Sequence, residues 1–565
     1  MRDWVVKGEV FSRMLRPAAV LVIAAALLLT LPPTLPAQSS FGFGAVDAAP
    51  AAFAPLRAAG VRAVKILADW AALEPTRGHF VWTGLDAAVA AAKKEGLQPV
   101  LVLAYVPAWA SLATGEDLRQ PAVATRTPPK QMADWERFVT AAVRRYRENV
   151  KEWQVWTTPA LPSFRGTASE YLRLVAGTRR ASLAADPQSR IIMTSPPGID
   201  LSHVQRALAQ EAGAISIVSV MPNGLMPEEW LRPLAVLRGR VLARTNRPLW
   251  VEWHPGRPDL SEGPAAVRAA AVARAAGIER LFTSLDLRQV DAPTRAALEM
   301  VATLPFSGYL HRGPGLYALL FGPDDRAVLV AWADGGDGPS LELAVRPDAK
   351  IQPLGAGPAP AIQEGKAVLP LGPAPMVVTG LAPAVVEEAR ATLAQRGALL
   401  PVRPPERDFT AATEVTTRLS GSSVERGLYN ILRTRKNGAV QVVQVGNEEA
   451  VRVPSQGEVA FVYFDVDDTF IFFNDGRATV EVTVEVAGAK AAQSLGFNIF
   501  YDSRSGYRFS TWQWVEVKEG WVSYTIRLDD ASFANTWGWD FSINAGAQRK
   551  EDLTVRSVTV RKVGR

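Results

Sequence analysis

The sequence predicts a multidomain chain of α/β plus all-β class. A (β/α)8 barrel comes first, then a small antiparallel β-sandwich, then a C-terminal jelly-roll-like β-sandwich. Three observations predict this. From Phe41 to about Thr303, apolar strand-like runs alternate with amphipathic helical runs, the pattern of a parallel sheet wrapped by helices. After Pro305 the texture changes to short alternating runs such as Leu316 to Phe321 and Ala327 to Trp332, separated by Gly, Pro and Asp. From Asp408 onward, regularly spaced strands with turn signals dominate. The chain has 565 residues, 48% of them hydrophobic, enough for several packed cores.

Taken in order, Arg2, Lys7, Arg13 and Arg16 precede an apolar run from Ala18 to Leu31, and Leu35-Pro36-Ala37 follows. A basic start, an apolar middle and a small-residue end make residues 1–37 a secretory signal, with an uncleaved membrane anchor as the alternative. The mature chain is then secreted or extracytoplasmic. Eight strands are expected at Phe41–Val46, Val61–Ile66, Gln98–Ala104, Trp153–Trp156, Arg190–Thr194, Ile215–Met221, Leu249–Trp253 and Arg280–Ser284. Between them, Trp135, Phe138, Val139, Ala142, Val143 and Tyr146 recur every three or four residues and mark a helix with one apolar face. Asp86 is expected to cap the helical run Ala87 to Lys94, which Gly96 closes. The barrel is therefore placed at 41–304 and the small sandwich at 305–382. A helix and Pro-rich linker follow at 383–407, and the C-terminal sandwich at 408–565. In such barrels the chemistry sits at the strand C-terminal ends, so the residues just after each strand matter most.

The chain has no cysteine, which excludes disulfides, thiolate metal sites and a cysteine nucleophile. His79, His203 and His311 are dispersed, so no histidine metal site is expected. The formal charge of +6 comes from 62 basic and 56 acidic residues scattered singly, so no nucleic-acid partner is expected.

Several strings then become recognisable. Ile66 to Trp70, Leu73-Glu74-Pro75, Gly78-His79-Phe80-Val81-Trp82 and Leu85-Asp86 resemble the second-strand region of clan A glycoside hydrolases, family 39 above all. Leu101 to Ala110 resembles their third strand and its Pro-x-Trp-Ala loop. Tyr146, Val150, Trp153, Val155, Trp156 and Pro159 resemble the approach along strand four, and Arg247 to Glu252 resembles strand seven. The resemblance covers roughly 41–300 and implies a (β/α)8 barrel that handles glycosidic bonds. It implies an acid/base Glu in a Trp-Asn-Glu-Pro string after strand four; this chain reads Trp156-Thr157-Thr158-Pro159, so Thr158 stands in the acid/base place. A threonine hydroxyl cannot donate a proton as a carboxylic acid does, and general-acid help is typically worth about 10²–10⁴-fold. The implied nucleophile on strand seven is met by Glu252, one residue early, with Trp253 in the expected place. Because strand side chains alternate, that offset is expected to turn the carboxylate away from the mouth unless a bulge re-aims it. A His often found after strand six is absent from Val220-Met221-Pro222-Asn223.

The remaining substrate-binding candidates are Asp69, Trp109, Trp156, Thr157, Trp253, His254 and Asp286 in the barrel. In the C-terminal sandwich they are Trp512 and Trp514. Indole faces stack well on sugar C–H faces. The aromatics around Tyr501, Tyr507, Phe509, Trp537 and Trp539, with Phe497 to Ser503 and Trp539 to Ile543, resemble carbohydrate-binding sandwiches of galactose-binding-like type. Asp465, Asp467 and Asp468 suggest either a solvated acidic turn or a structural Ca²⁺ site, the turn being preferred; no other cofactor is expected.

These features point to an exported carbohydrate-binding protein built on a catalytically degenerate glycoside hydrolase barrel, with a polysaccharide or glycan as partner. Two alternatives stay open. One is an active retaining glycosidase with a rearranged site using Glu252 and either Asp69 or Asp286. The other is a self-assembling structural protein of the cell envelope, which would be a homo-oligomer.

Overall fold

A computed structural model describes residues 41–563, apart from 47, 224, 244, 255–261, 314, 334–338, 401–407, 422, 432–440, 456–460, 474–477 and 547–549. The expected signal at 1–37 and the proline-rich segment at 401–407 lie outside the described residues. Among the described residues no helix is long and apolar enough to cross a membrane.

Eight parallel strands close into a barrel in sequence order: β1 (Gly42–Ala45), β2 (Val61–Asp69), β3 (Gln98–Ala104), β4 (Glu152–Val155), β5 (Arg190–Pro197), β6 (Ile217–Met221), β7 (Leu249–Trp253) and β8 (Arg280–Thr283). Period-2 alternation divides each strand between a helix-facing and an interior-facing set. The interior is filled by Ala63, Val100, Ile192, Ile217, Trp250 and Phe282. At the strand N-terminal ends the barrel is closed by a polar knot: Arg190 donates to Glu152 at 3.1 Å, Arg280 donates to Gln98 at 2.6 Å, and Gln98 donates to Glu152. Gly44 matters here, because a Cβ on it would lie 2.1 Å from the Phe282 ring.

The predicted helix face is buried as expected. Trp135, Phe138, Val139, Ala142, Val143 and Tyr146 face inward from Met132–Tyr146, which packs beside the helix Ala168–Ala185. Asp86 behaves differently from the cap the sequence suggested. The helix already starts at Thr83 and runs to Lys94, and the Asp86 carboxylate accepts from Arg145 Nε at 2.7 Å and Tyr146 Oη at 2.9 Å. A capping side chain is worth about 1 kcal/mol, and here the bidentate arginine and the phenol are the partners Asp86 takes instead.

Seven antiparallel strands follow: β9 (Phe306–Tyr309), β10 (Leu316–Phe321), β11 (Val328–Ala333), β12 (Ser340–Pro353), β13 (Ile362–Gln363), β14 (Lys366–Pro370) and β15 (Met376–Leu381). Their order is β13-β14-β12-β15-β11-β10-β9, and the long β12 pairs with β14 through its first half and with β15 chiefly through its second. One face packs on its own core, around Leu320, Leu329, Leu343, Leu369 and Val378. The other joins the barrel core through Tyr317, Leu319, Val330 and Trp332. The junction carries a buried clamp: Glu228 accepts from Arg268 at 2.7 and 2.8 Å and from Trp332 Nε1 at 2.6 Å. The helix Pro383–Arg396 lies against β9, where a Cβ at Gly308 would sit 2.4 Å from the Ala389 carbonyl oxygen.

The C-terminal region is all strand: β16 (Glu414–Arg418), β17 (Val424–Arg426), β18 (Leu428–Ile431), β19 (Gln441–Val445), β20 (Glu448–Val453), β21 (Phe461–Val466), β22 (Ala478–Ala487), β23 (Gly496–Ser503), β24 (Gly506–Phe509), β25 (Gln513–Trp514), β26 (Trp521–Ala531), β27 (Phe541–Asn544) and β28 (Leu553–Lys562). The path β17-β16-β28-β22-β26 passes to β23-β27-β21-β18 through the single pair Ser503–Ala531, so the sheet folds over on itself there. Val480, Val482, Val484 and Val560 from one layer meet Phe464, Phe497, Ile499 and Ile543 from the other, which is the interior of a β-sandwich.

Candidate functional site

A cavity of about 200 Å³ opens at the C-terminal ends of the barrel strands. Its walls are the apolar Val46, Leu67, Val102 and Met221 and the polar Lys65, Gln154, Thr157, Thr158, Asn223, Glu252 and His254. This is where the (β/α)8 plan places chemistry.

Strand β7 places the retained carboxylate. Trp250 faces the interior, so Glu252 two residues later does too, and His254 continues the row at the rim. The one-residue offset was expected to turn Glu252 away; instead regular alternation brings it in, and it is Trp253 that faces the helix layer, fully buried edge-on to Trp230 with its Nε1 donating to Leu225 O at 3.3 Å. Strand β2 supplies the partner. Lys65, 3% exposed, forms an ion pair with Glu252 and sits 4.5 Å above the Phe282 ring centroid. His254 Nε2 lies 3.2 Å from the other Glu252 oxygen, and Asn223 Oδ1 accepts from the His254 backbone N–H at 3.2 Å. Burial pushes the Glu252 carboxyl up, but the Lys65 ammonium and the His254 contact outweigh it and hold it at about 2. Glu252 is therefore ionised at neutral pH.

Strand β4 ends on an uncommon turn. Trp156 has φ of 65°, its backbone N–H donates to Leu103 O at 2.8 Å, and its ring is fully buried with Nε1 donating to Ser163 O at 2.8 Å. Tyr105, at the end of β3, also has positive φ, 63°, and meets the Trp156 ring edge-on at 5.8 Å. Left-handed backbone is costly for a bulky residue and concentrates at functional sites. Here it sends Trp156 outward and brings Thr157 and Thr158 to the cavity wall. Thr157 Oγ1 lies 2.6 Å from Ser163 Oγ, and Thr158 Oγ1 approaches Met221 Sδ at 3.7 Å. Below them Gln154, 1% exposed, donates from Nε2 to Trp156 O at 3.0 Å, while its Oε1 has no hydrogen-bond partner among the described residues.

The other candidates have partners away from the cavity. Asp69 caps the helix Trp70–Leu73, accepting from Ala71 N at 3.0 Å and Ala72 N at 3.4 Å; burial raises its carboxyl while those two bonds pull it down. Asp286 is gripped by Arg288 at 2.6 and 2.7 Å and by Gln289 at 2.9 Å, which hold it at about 2 against burial. Trp109 donates to Glu74 O at 3.0 Å and stands edge-on to Trp70 at 5.7 Å. Glu74 is fully buried and accepts from Trp70 Nε1, Gly78 N and Arg137. Trp512 packs over Gly496 and Gly546, where an added Cβ would lie 2.4 Å and 3.0 Å from it, and Trp514 beside it is 52% exposed. Asp467 accepts from Tyr429 Oη and Thr469, Asp468 pairs with Arg232 of the barrel at 2.7 Å, and Asp465 accepts from Asn535 at 2.9 Å. Among the described residues no group of three or more His, Cys, Asp or Glu is placed to hold a metal.

Lys65 and Gln154 escaped the sequence reading. The signal for Lys65 was present: with Arg62 it is one of two charges inside the run Val61 to Leu67, at a position whose neighbours Val64 and Ile66 belong to the helix-facing core.

No protein-family model matches the sequence, and no curated protein matches it. Solved structures do resemble its fold. A family 39 glycoside hydrolase from the gut symbiont Bacteroides cellulosilyticus WH2 is 16% identical, covering 60% of this chain and 80% of its own, with a TM-score of 0.49. A GH30 endoxylanase from Clostridium papyrosolvens C71 is 13% identical over 61% of this chain and 96% of its own, with a TM-score of 0.43. A glucosidase from Croceicoccus marinus is 12% identical over 93% of this chain and 96% of its own, with a TM-score of 0.40.

Proposed function

We propose that this chain is an exported glycan-binding protein whose barrel cavity receives a sugar unit without cleaving it. One observation carries the reading: among the described residues that line the cavity Glu252 is the sole carboxylate, and it is held in a buried ion pair. Retaining cleavage needs two carboxyl groups about 5–5.5 Å apart, and inverting cleavage about 6.5–9.5 Å. The acid/base place holds Thr158, and Asp69 and Asp286 are spent on a helix cap and a loop. The cavity suits a neutral polyhydroxylated ring. Lys65 and Glu252 cancel in charge, and Gln154, Thr157, Thr158 and Asn223 add amide and hydroxyl groups beside the apolar wall of Val102 and Met221.

One observation favours the rearranged glycosidase: Glu252 is ionised, the state a nucleophile needs. Among the described cavity residues there is no second carboxyl group to protonate the leaving oxygen. The test is a glycan array run beside a screen of 4-nitrophenyl glycosides. Glycan binding that Thr158→Trp abolishes, with no nitrophenol release, is expected. Release that disappears in Glu252→Gln would establish the glycosidase instead.

A further inference from the structure

The C-terminal sandwich is seated on the barrel by loop 532–539, between β26 and β27. Its consecutive residues Phe533 and Ala534 are buried in different cores, Phe533 in the sandwich and Ala534 in the barrel. Two of its non-glycine residues take left-handed backbone, Phe533 with φ of 45° and Asn535 with φ of 51°. Such conformations persist only where the surroundings over-determine them. On the barrel side the loop meets Gly198, where a Cβ would lie 1.8 Å from Thr536 O. Gly198 N in turn donates to Met221 O at 2.6 Å, and Met221 lines the cavity. The seat of the loop therefore adjoins the support of the cavity wall.

Two buried carboxyl groups hold the loop in this shape. Asp502, on β23 and 2% exposed, accepts from Ala534 N at 3.2 Å and Thr536 Oγ1 at 2.9 Å. Asp540, fully buried just past the loop, accepts from Asn535 N at 3.0 Å and Val466 N at 2.9 Å. Among the described residues neither carboxyl is ion-paired. The groups that face Asp502 are largely acidic. From the barrel come Asp200, which caps the helix Leu201–Glu211, and behind it His203 and Arg206. From the sandwich come the Tyr507 phenol and Asp540, whose carbonyl accepts from Asp502 N at 2.8 Å. Arg206 donates to Arg504 O at 3.3 Å, and Arg504 N donates to Asp530 O at 3.0 Å. Asp465 and Asp468 face Asp540, and Asp468 is already paired with Arg232 at 2.7 Å. Burial, and then Asp200, push the Asp502 carboxyl up from 3.8 to about 7, against the pull of the bonds from Thr536 and Ala534. Burial and then Asp465 push Asp540 well above the ordinary carboxylate range. Burial pushes the His203 imidazole down, away from its charged form.

We propose that this junction is a proton-dependent latch. With Asp502 protonated the loop stays seated between barrel and sandwich; once Asp502 ionises beside Asp200, a buried charge without a counter-ion drives the loop off the Gly198 turn. The seated state binds the Asp502 proton more tightly than an opened, hydrated state does. Its advantage is fully present below about pH 3.8 and is lost as the pH rises to about 7. The latch uses none of the cavity's own side chains, so it stands whatever the cavity receives.

The full chain has no cysteine, so a single introduced thiol reports on one place. Ala534→Cys puts it at the seat, at a position 2% exposed. Its labelling rate with iodoacetamide, divided by that of the same chain in denaturant at the same pH, gives the open fraction. Between about pH 5 and about pH 8 that fraction should rise about thirtyfold or more. Adding Asp502→Asn should cut the rise by about tenfold or more. Adding Asp200→Asn, which keeps a capping side chain, should cut it severalfold. Ala92→Cys, fully buried in the barrel helix Thr83–Lys94, should show no such rise, which separates unseating from global unfolding. Circular dichroism confirms the fold of each variant, and if Asp502→Asn does not fold, Asp200→Asn decides. A flat profile at Ala534→Cys, a rise that the deciding variant leaves undiminished, or a rise shared by Ala92→Cys would overturn the latch.

Discussion

Lys65 and Glu252 are 3% and 5% exposed, so neither charge has water to fall back on. Removing one partner of such a pair typically costs about 3–5 kcal/mol, whereas replacing both with apolar residues of similar volume is often neutral. Lys65→Met alone and Glu252→Leu alone should therefore each lower stability by about that amount, and the double variant should recover most of it in chemical denaturation. The pH dependence has a definite sign. Glu252 titrates near 4.5 when unfolded and near 2 when folded, so its contribution is fully present above about pH 4.5 and fades as the pH falls toward 2. Wild type should lose about 2 kcal/mol more than the double variant between about pH 6 and about pH 3. Glu252 was visible in the sequence as a charge at the end of an apolar strand. Its orientation was misread because register was counted against a family pattern, whereas β7 keeps its own alternation from Trp250 to His254. Lys65 was missed because a lysine in a strand reads as solvent-facing unless its counter-charge, 187 residues away, is known.

At the level of the element, strand β1 shows how local composition and closure combine. It has four residues, two of them glycine, and it pairs with both β2 and β8. Phe282 occupies the space a side chain at position 44 would need, and its face then supports Lys65. Gly44→Ala should displace that ring and destabilise the fold by about 1–3 kcal/mol, the usual cost of overpacking a core, measurable as a lowered Tm. The strand–helix alternation was legible from period-2 and period-3.6 patterns, and all eight strands form where apolar runs place them. Strand ends were less legible. Strand β2 continues to Asp69, past the apolar run, because Asp69 is fixed as the cap of the next helix. The positive φ of Tyr105 and Trp156 has no sequence mark; glycine would have signalled it, but aromatic residues stand there instead.

Across the whole molecule, described residues 41–563 form one compact unit because buried polar clamps accompany the apolar contacts. Glu228 gathers Arg268 and Trp332 at the junction of barrel and small sheet, and Arg232 and Arg240 reach Asp468 and Phe473 O in the C-terminal sandwich. Glu228→Gln leaves the Arg268 charge buried without its partner. It should cost about 3–5 kcal/mol and be felt in both barrel and small sheet, as a single shifted calorimetric transition rather than an early partial one. These junctions were illegible in sequence, since the residues that meet across them, Glu228 with Trp332 and Arg240 with Phe473, are 104 and 233 positions apart. The Trp, Tyr and Phe clustering of the C-terminal sandwich was legible; which rings belong to the core and which to the outer face became clear only from the register of β21, β23 and β24.

The account stands on Glu252 being an ion-paired carboxylate with no second carboxyl group among the described cavity residues, and a trapping experiment addresses that directly. The full chain is incubated with a panel of 2,4-dinitrophenyl 2-deoxy-2-fluoroglycosides, whose leaving group needs no proton donor, and its intact mass is followed for hours. An unchanged mass is predicted, because the Lys65 ion pair holds the carboxylate in place and lowers its basicity. A mass increase of one fluorosugar, mapped to Glu252 by peptide analysis, would contradict the account and identify a working nucleophile.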